Sequence, residues 1–199
     1  KTDGQYIYTL STTKFGVADA HSANSLASIT AVTLSNAPTN FAMANGYAYV
    51  TSYVGDYINI IDIRRPSAPV IVATSTLPAP AGPQGIAVQG DRLFVAYDDG
   101  LRMFDISNPL VPRLLGFSTA VTSLKDVVVQ GNYLYVSKVA FPVYEVHAFS
   151  FDHSGTLTLL SSVTLASRPY DIAYQGGYLF IANVAMAVQA INERNPSAL

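Results

Sequence analysis

Three residues with oxygen-bearing side chains are the first candidates for chemistry, because they share one position of a repeated segment. Asn40, Asp126 and Asp171 each follow a Pro or Leu by two positions, and a fourth copy has Gly85 there. Carboxylate and amide oxygens are ligands that Ca²⁺ prefers. The pattern therefore raises a Ca²⁺ site as a hypothesis. The alternative is that each oxygen caps local backbone or binds water, since the known calcium-loop motif is absent.

Acid–base and nucleophilic chemistry have few other candidates. His147 and Glu145 lie two residues apart in an apolar stretch, so they share one face of a strand and could exchange a proton. We interpret them as an exposed pair on an outer strand, where polar residues usually lie. The sequence contains no nucleophile, dinucleotide or phosphate-loop motif. No catalytic residue is predicted, and a non-enzymatic role is favoured.

Aromatic residues indicate a binding surface. They lie in or beside loops that join apolar strands, and they are Tyr53, Tyr57, Tyr97, Phe141 and Tyr144. If these loops share one rim of the molecule, their rings form a surface suited to a protein or glycan partner. The alternative is that each aromatic side chain fills an ordinary strand position, where Tyr is common.

The elements that position these residues recur with a fixed period. A turn followed by an apolar strand is repeated five times, and its aromatic residue is Tyr8, Tyr49, Phe94, Tyr135 and Phe180, at spacings of 41 or 45 residues. A period of 40 to 50 residues is typical of propellers and other arrays. One repeat contains four short strands, which we name a to d, at residues 84–89, 92–97, 101–106 and 113–118.

The strands are apolar at successive positions, as in Val127-Val128-Val129. A sheet with one wet face would alternate between apolar and polar residues, so these sheets are predicted to be buried on both faces. Four-stranded antiparallel sheets packed face to face around an axis form a β-propeller. The predicted fold is therefore all-β, with four full periods plus partial blades.

The whole chain, residues 1–199, is predicted to be one propeller domain or propeller segment. Its approximate blade units are 1–37, 38–82, 83–122, 123–167 and 168–199. Strands b and c occur five times, whereas strands a and d occur four times. We therefore expect an arc of a larger ring, cut from a longer or processed chain. Its open edges are expected to pair with the rest of that chain or with another chain.

Composition narrows the partners. Half of the 199 residues are hydrophobic, 12% are charged, and the net charge is −2, so no nucleic-acid partner is predicted. No apolar run approaches the roughly 20 residues that span a bilayer, so no membrane insertion is predicted. The lack of cysteine excludes disulfides and thiolate chemistry. Abundant Tyr, Ser, Thr and Asn favour an exported or surface-exposed protein.

Two segments resemble the LVIVD repeat, LRMFDISNPLVP at 101–112 and IIDIRRPSAP at 60–69, and INERNP at 191–196 resembles a decayed copy. The resemblance implies a β-propeller of bacterial or archaeal surface and secreted proteins, usually without known catalysis. Asp62 and Asp105 in these copies are interpreted as acceptors for turn N–H groups. The segment AFSFD at 148–152 departs from the pattern, and the following SGTL resembles lactonase-type propellers.

These observations favour a non-catalytic binding or scaffold module of a secreted or cell-surface protein. One alternative is a structural subunit of a surface filament or virion, whose blade edges pair with another chain. The other is a propeller hydrolase or lactonase with a central metal ion, for which Asn40, Asp126 and Asp171 must converge.

Overall fold

The structure, a computed structural model, describes residues 1–21, 27–35, 37–76, 82–185, 188–193 and 195–199. Its strands form five antiparallel sheets, and sheets that follow each other in the chain contact each other in space. Within these residues, no helix is long and apolar enough to cross a membrane. The predicted all-β fold and its β-propeller architecture are confirmed, and the five sheets are the blades.

The strands follow one another within each blade in chain order. The first blade contains β1 (Tyr6–Leu10), β2 (Lys14–Asp19) and β3 (Ala27–Thr33). The second blade contains β4 (Pro38–Ala44), β5 (Tyr47–Ser52), β6 (Tyr57–Asp62) and β7 (Val70–Thr76). The third blade contains β8 (Pro83–Gln89), β9 (Arg92–Tyr97), β10 (Gly100–Asp105) and β11 (Arg113–Ser118). The fourth blade contains β12 (Leu124–Gln130), β13 (Tyr133–Ala140), β14 (Val143–Phe151) and β15 (Leu157–Thr164). The last blade contains β16 (Pro169–Gln175), β17 (Tyr178–Asn183) and β18 (Gln189–Asn192).

The blade count differs slightly from the expected four full periods with partial blades. The described residues form three blades with four strands and two blades with three strands. The first blade supplies strands b, c and d, and the last blade supplies a, b and c. Within the described residues, the first blade therefore lacks strand a and the last blade lacks strand d.

The hairpins between strands a and b show why Gly and Asn recur in the repeated turn. Gln89 pairs with Arg92 across a two-residue loop, and Gly90 has a φ of 56°. In the second blade, Asn45 and Gly46 have φ angles of 52° and 79°. Two-residue hairpins need positive φ because this geometry matches the strand twist, and Gly and Asn tolerate it best.

The aromatic residue of strand b packs between neighbouring blades. Tyr8, Tyr49, Phe94 and Tyr135 are no more than 1% exposed, whereas Phe180 in the last blade is 38% exposed. Burial of one such side chain contributes about 1.5–3 kcal/mol. The predicted burial of the blades on both faces is therefore confirmed between neighbours, and the last blade presents the corresponding face to solvent.

One rim carries both the b–c loops and the d–a loops, and we call it the loop rim. The two kinds of loop are joined by backbone hydrogen bonds from Tyr53 N to Ala37 O (3.2 Å) and from Ser123 N to Asp98 O (2.6 Å). Val184 N donates to Arg168 O (3.0 Å) in the last blade. The opposite rim carries the a–b hairpins and the c–d loops.

A close backbone approach between the third and fourth blades predicts a specific stability loss. A Cβ atom added at Gly116 would lie 1.8 Å from Gly155 O, which neither backbone can avoid without shifting. We expect Gly116→Ala to lower the free energy of unfolding by about 1–3 kcal/mol, as for an overpacked core.

Gly16→Ala is the matched control for this substitution. It also lies in a strand, but its Cβ would closely approach the hydroxyl of Thr9, which can rotate away, while the nearest backbone atom, Thr30 O, lies at 4.0 Å. Chemical denaturation of both variants measures the difference. An equal loss in the two variants would contradict the close approach at Gly116.

Candidate functional site

The start of each a strand contains a β-bulge that redirects side chains at the loop rim. In the second blade Pro38 pairs with Ser52 and Asn40 with Thr51, so Thr39 is left out of the register. The same shift recurs at the starts of β8, β12 and β16. β-Bulges are common beside functional sites because they re-aim a side chain. The left-out residues include Thr39, Gln84, Lys125 and Tyr170.

The three residues of the metal hypothesis come together where the a strands meet. Asn40 Nδ2 donates to Asp126 Oδ1 at 3.2 Å, and Ile172 N donates to Asp126 Oδ2 at 3.2 Å. Asp171 also accepts from Ile172 N, at 3.0 Å. Gly85 leaves the space for this approach, since a Cβ there would lie 2.5 Å from Asp126 Cα. These contacts place Asn40 and Asp171 each beside Asp126.

Electrostatics favours a protonated carboxyl in this cluster. Asp126 is 6% exposed. Burial raises the pKa of Asp126 well above its ordinary value, and the hydrogen bond and charge of Asp171 act in the same direction. Asp126 is thus favoured as a neutral carboxyl that is hydrogen-bonded to Asp171.

The oxygen atoms of Asn40, Asp126 and Asp171 are of the kind that binds a hard cation, but they are few. An amide and two carboxylates would supply the oxygens for Ca²⁺, and binding of a cation would require Asp126 to lose its proton. In the described ranges, no group of three or more His, Cys, Asp and Glu side chains is close enough to hold a metal ion. Ca²⁺ binding at Asn40, Asp126 and Asp171 stays a prediction.

The five aromatic residues do not form one exposed surface. Tyr53 and Phe141 are 46% and 88% exposed on loops of the loop rim. Tyr57 and Tyr144 are half-buried. Tyr97 is completely buried, and the Arg102 guanidinium carbon lies 4.2 Å from its ring centroid. The expectation of an exposed Tyr97 ring is therefore wrong, because strand b places residue 97 inside the blade stack.

The His147–Glu145 interpretation also needs correction. His147 Nε2 lies 3.2 Å from Glu145 Oε2, which also accepts from Lys138 Nζ at 2.9 Å. The pair is on strand c, and His147 is buried. Burial lowers the pKa of His147, and the charge of Glu145 opposes that change. His147 is thus buried while Glu145 and Lys138 are half-buried, so this group is not an exposed surface pair.

The turn role of the recurrent aspartates is confirmed. Asp62 Oδ1 accepts from Arg64 N at 3.0 Å, and Asp105 Oδ1 accepts from Ser107 N at 2.8 Å. The Ser107 N–H and hydroxyl, helped by Arg113, lower the pKa of Asp105 to about 2. These carboxylates hold the c–d loops on the rim opposite the loop rim.

The structure also brings together a set of residues that sequence analysis missed. A cavity of about 210 Å³ on the loop rim, which we call the rim cavity, has side chains from three blades around it. Its lining includes Gln84, Asp98, Ser123, Lys125, Val139 and Arg168. These residues are separated by up to 84 positions in the chain, so no local motif marks them.

Sequence comparison identifies the repeats of this propeller. The LVIVD repeat family matches residues 39–76, 83–118 and 123–140. The chain carries LVIVD repeats. The matches cover the second and third blades and the first two strands of the fourth, and they end before the divergent segment 148–152. The resemblance to LVIVD repeats is thus confirmed. Comparison with curated protein sequences gave no significant match.

Solved propellers share the fold of this chain at low sequence identity. A protein of unknown function from Desulfotomaculum acetoxidans superposes with a TM-score of 0.81 at 17% identity, over 96% of this chain and 66% of that chain. A protein from Bacteroides fragilis, provisionally assigned as a 6-phosphogluconolactonase, gives 0.80 at 15%, over 96% and 64%. The periplasmic gluconolactonase of Pseudomonas aeruginosa gives 0.74 at 15%, over 98% and 64%. This chain spans about two thirds of the length of these proteins.

The raised pKa of Asp126 predicts a stability that depends on pH. A carboxyl whose pKa is higher in the folded state than in the unfolded state stabilises the fold at low pH, and this contribution is lost as pH rises from about 4. Asp126→Asn keeps an oxygen acceptor and needs no proton. We expect the free energy of unfolding of the variant minus that of the parent protein to increase by about 1–3 kcal/mol between pH 5 and pH 8.5.

Asp152→Asn gives a control of opposite sign. Hydrogen bonds from the Ser154 hydroxyl and nearby N–H groups lower the pKa of Asp152 to about 2, so its contribution is lost as pH falls below about 4. Urea denaturation across pH 3–9 measures both variants. A stability difference for Asp126→Asn that stays constant, or falls with pH, would rule out a buried protonated carboxyl.

Proposed function

We propose that this chain is a non-catalytic β-propeller binding module of a secreted or surface-exposed protein, whose loop rim binds a protein or glycan partner. The observation that carries the proposal is the concentration of exposed apolar side chains on this rim. They stand on the b–c loops or at the β-bulge, and they are Tyr53, Val54, Phe141, Val143, Tyr170 and Val184. Clustered exposed apolar residues with polar neighbours are typical of binding surfaces.

The opposite rim has fewer such groups. Its a–b hairpins consist of Asn, Asp and Gly, and its exposed large apolar residues include Leu110 and Val111 in a single c–d loop. Backbone hydrogen bonds between the loops hold the loop-rim backbone in place, which lowers the entropy lost on binding. The secreted or surface location is supported by the low charge, by the LVIVD repeats, and by the periplasmic location of one propeller with the same fold.

Substitution on the loop rim tests this function. We expect the double variant Phe141→Ser/Tyr170→Ser to lose about 10-fold or more of its affinity for a ligand found on glycan and cell-surface protein arrays, since exposed aromatics are frequent hot spots. Leu110→Ser/Val111→Ser is the control because both residues are exposed on a c–d loop of the opposite rim. Ligands that depend on Leu110 and Val111 and not on the rim pair would refute the proposal.

We further propose that the described blades form an arc, completed by the rest of a longer polypeptide or by another chain. Tyr178 and Phe180 of the last blade are exposed at positions whose equivalents are buried or half-buried in earlier blades. A sheet face of this composition needs a neighbour. The greater length of the propellers with the same fold supports the arc.

Self-association of the 199-residue chain tests the arc. We expect this chain to associate at micromolar concentration through the last blade, and Tyr178→Glu/Phe180→Glu to restore the monomer, because buried carboxylates oppose packing. Phe117→Glu serves as control. Analytical ultracentrifugation gives the result. A monomeric parent chain would contradict an uncovered face, whereas a specific closed oligomer would favour the structural-subunit alternative.

A hydrolase of lactone type is the second candidate. The buried Asp126–Asp171 pair supports it, since perturbed carboxyls cluster at catalytic sites. Two of the propellers with the same fold bear gluconolactonase names. Hydrolysis of glucono-δ-lactone by the purified chain, abolished in both Asp126→Asn and Asp171→Asn, would favour this candidate over the binding module.

A further inference from the structure

We propose that the rim cavity binds a polyhydroxy carboxylate, such as a uronic acid residue of an acidic glycan, through Arg168 and Lys125. The inference rests on the proposed binding role of the loop rim and specifies its ligand. The cavity is smaller than the pockets that hold drug-sized molecules. Its volume of about 210 Å³ suits a group of about one sugar ring.

The two cations form no ion pair within the described residues, although the charge of Lys125 acts on Asp98 in the same lining. Over the residues with described structure, the Arg168 guanidinium has no ion pair or side-chain hydrogen bond, and Lys125 Nζ donates to the neutral Gln84 Oε1 at 3.0 Å. By contrast, Arg64, Arg102 and Arg113 each pair with an aspartate. Arg168 and Lys125 give the cavity two positive charges beside the single negative charge of Asp98, and this provides a site for an anion, which Arg can bind with two parallel hydrogen bonds.

The rest of the lining selects an anion that also carries hydroxyl groups. Asp98 accepts from the Tyr53 hydroxyl at 3.5 Å and interacts with Gln84, and its carboxylate can only accept. A ligand beside Asp98 must therefore supply donors, and a phosphate with several negative charges would be repelled. A sugar acid has both features, because its carboxylate suits Arg168 and Lys125 while its hydroxyls suit Asp98, Gln84 and Ser123.

The site is unique among the repeats, as a specific binding site should be. Residues equivalent to Lys125 are Thr39, Gln84 and Tyr170, and residues equivalent to Arg168 are Ala37, Gly82 and Ser123. The backbone is conserved between blades, including the β-bulge that places Lys125 at the cavity. The positive φ of Ser123 also recurs at Ala37 and Gly82, so it belongs to the loop and not to the site. This cavity is thus distinguished by the charges of Lys125 and Arg168, whose equivalents in the other repeats are uncharged.

The repeats supply substitutions that the fold already accepts. Arg168→Ser introduces the residue found at the equivalent position of the preceding loop, and Lys125→Gln introduces the residue of the preceding blade. Arg65→Ser on an exposed c–d loop of the opposite rim is the charge-matched control. Isothermal titration calorimetry of the 199-residue chain with sodium D-glucuronate, D-glucose and inorganic phosphate provides the test.

We expect D-glucuronate to bind about 10-fold or more tightly than D-glucose, because its carboxylate adds charged hydrogen bonds to Arg168 and Lys125 that glucose cannot make. Arg168→Ser is expected to weaken glucuronate binding about 10-fold or more and Lys125→Gln less, with glucose affinity and Arg65→Ser unchanged. Equal affinity for glucose, tighter binding of phosphate at the same residues, or an unaffected Arg168→Ser variant would each overturn the inference.

The experiments distinguish failure of the sugar-acid inference from failure of the proposed binding function. If glucuronate fails to bind while Phe141→Ser/Tyr170→Ser still loses its array ligand, the sugar-acid inference is wrong and the loop rim stays a binding surface. If glucuronate binds through Arg168 while no array ligand depends on Phe141 or Tyr170, the aromatic binding surface is wrong and the cavity stands alone.

Discussion

The structure depends on the packing of apolar sheets against each other on both faces. The aromatic side chain of strand b in each of the first four blades is inserted between that blade and the next, where it is almost completely excluded from water. This single contact explains the period of the sequence, the lack of apolar–polar alternation and the exposed Phe180 in the last blade. A blade of this composition cannot be stable alone, since its faces are covered only by its neighbours.

Such packing restricts function to the edges of the stack. Side chains buried inside the blades, including Tyr97 and His147, are packed in the core and are not accessible to a ligand. The loop rim is different because the β-bulge at each a strand frees one residue from the sheet register. Its loops are tied together by backbone hydrogen bonds, so variable side chains stand on a fixed frame. This frame supports both the exposed aromatics and the rim cavity.

Charged residues are few in this chain. Those with structural contacts lie in different places from the cations that line the rim cavity. Asp62 and Asp105 are satisfied by turn N–H groups and arginines on the rim opposite the loop rim, and Asp126 and Asp171 satisfy each other where the a strands meet. Arg168 and Lys125 instead line the rim cavity together with the acidic Asp98. In a chain with only 12% charged residues, two cations at one cavity are a concentration of positive charge that the local loop structure does not require.

The sequence by itself determined the repeat, the four-strand blade, the hairpins and the turn role of Asp62 and Asp105, because each depends on contacts between residues close in the chain or on a period that can be counted. It also placed Asn40, Asp126 and Asp171 at equivalent positions, from which their convergence followed. Only the tertiary structure decided which way each side chain points. It buried Tyr97 and His147, since their strands lie between blades, and it exposed Phe141. It also assembled the rim cavity from residues 84 to 168, because inter-blade packing and the β-bulge bring together side chains that no local pattern connects.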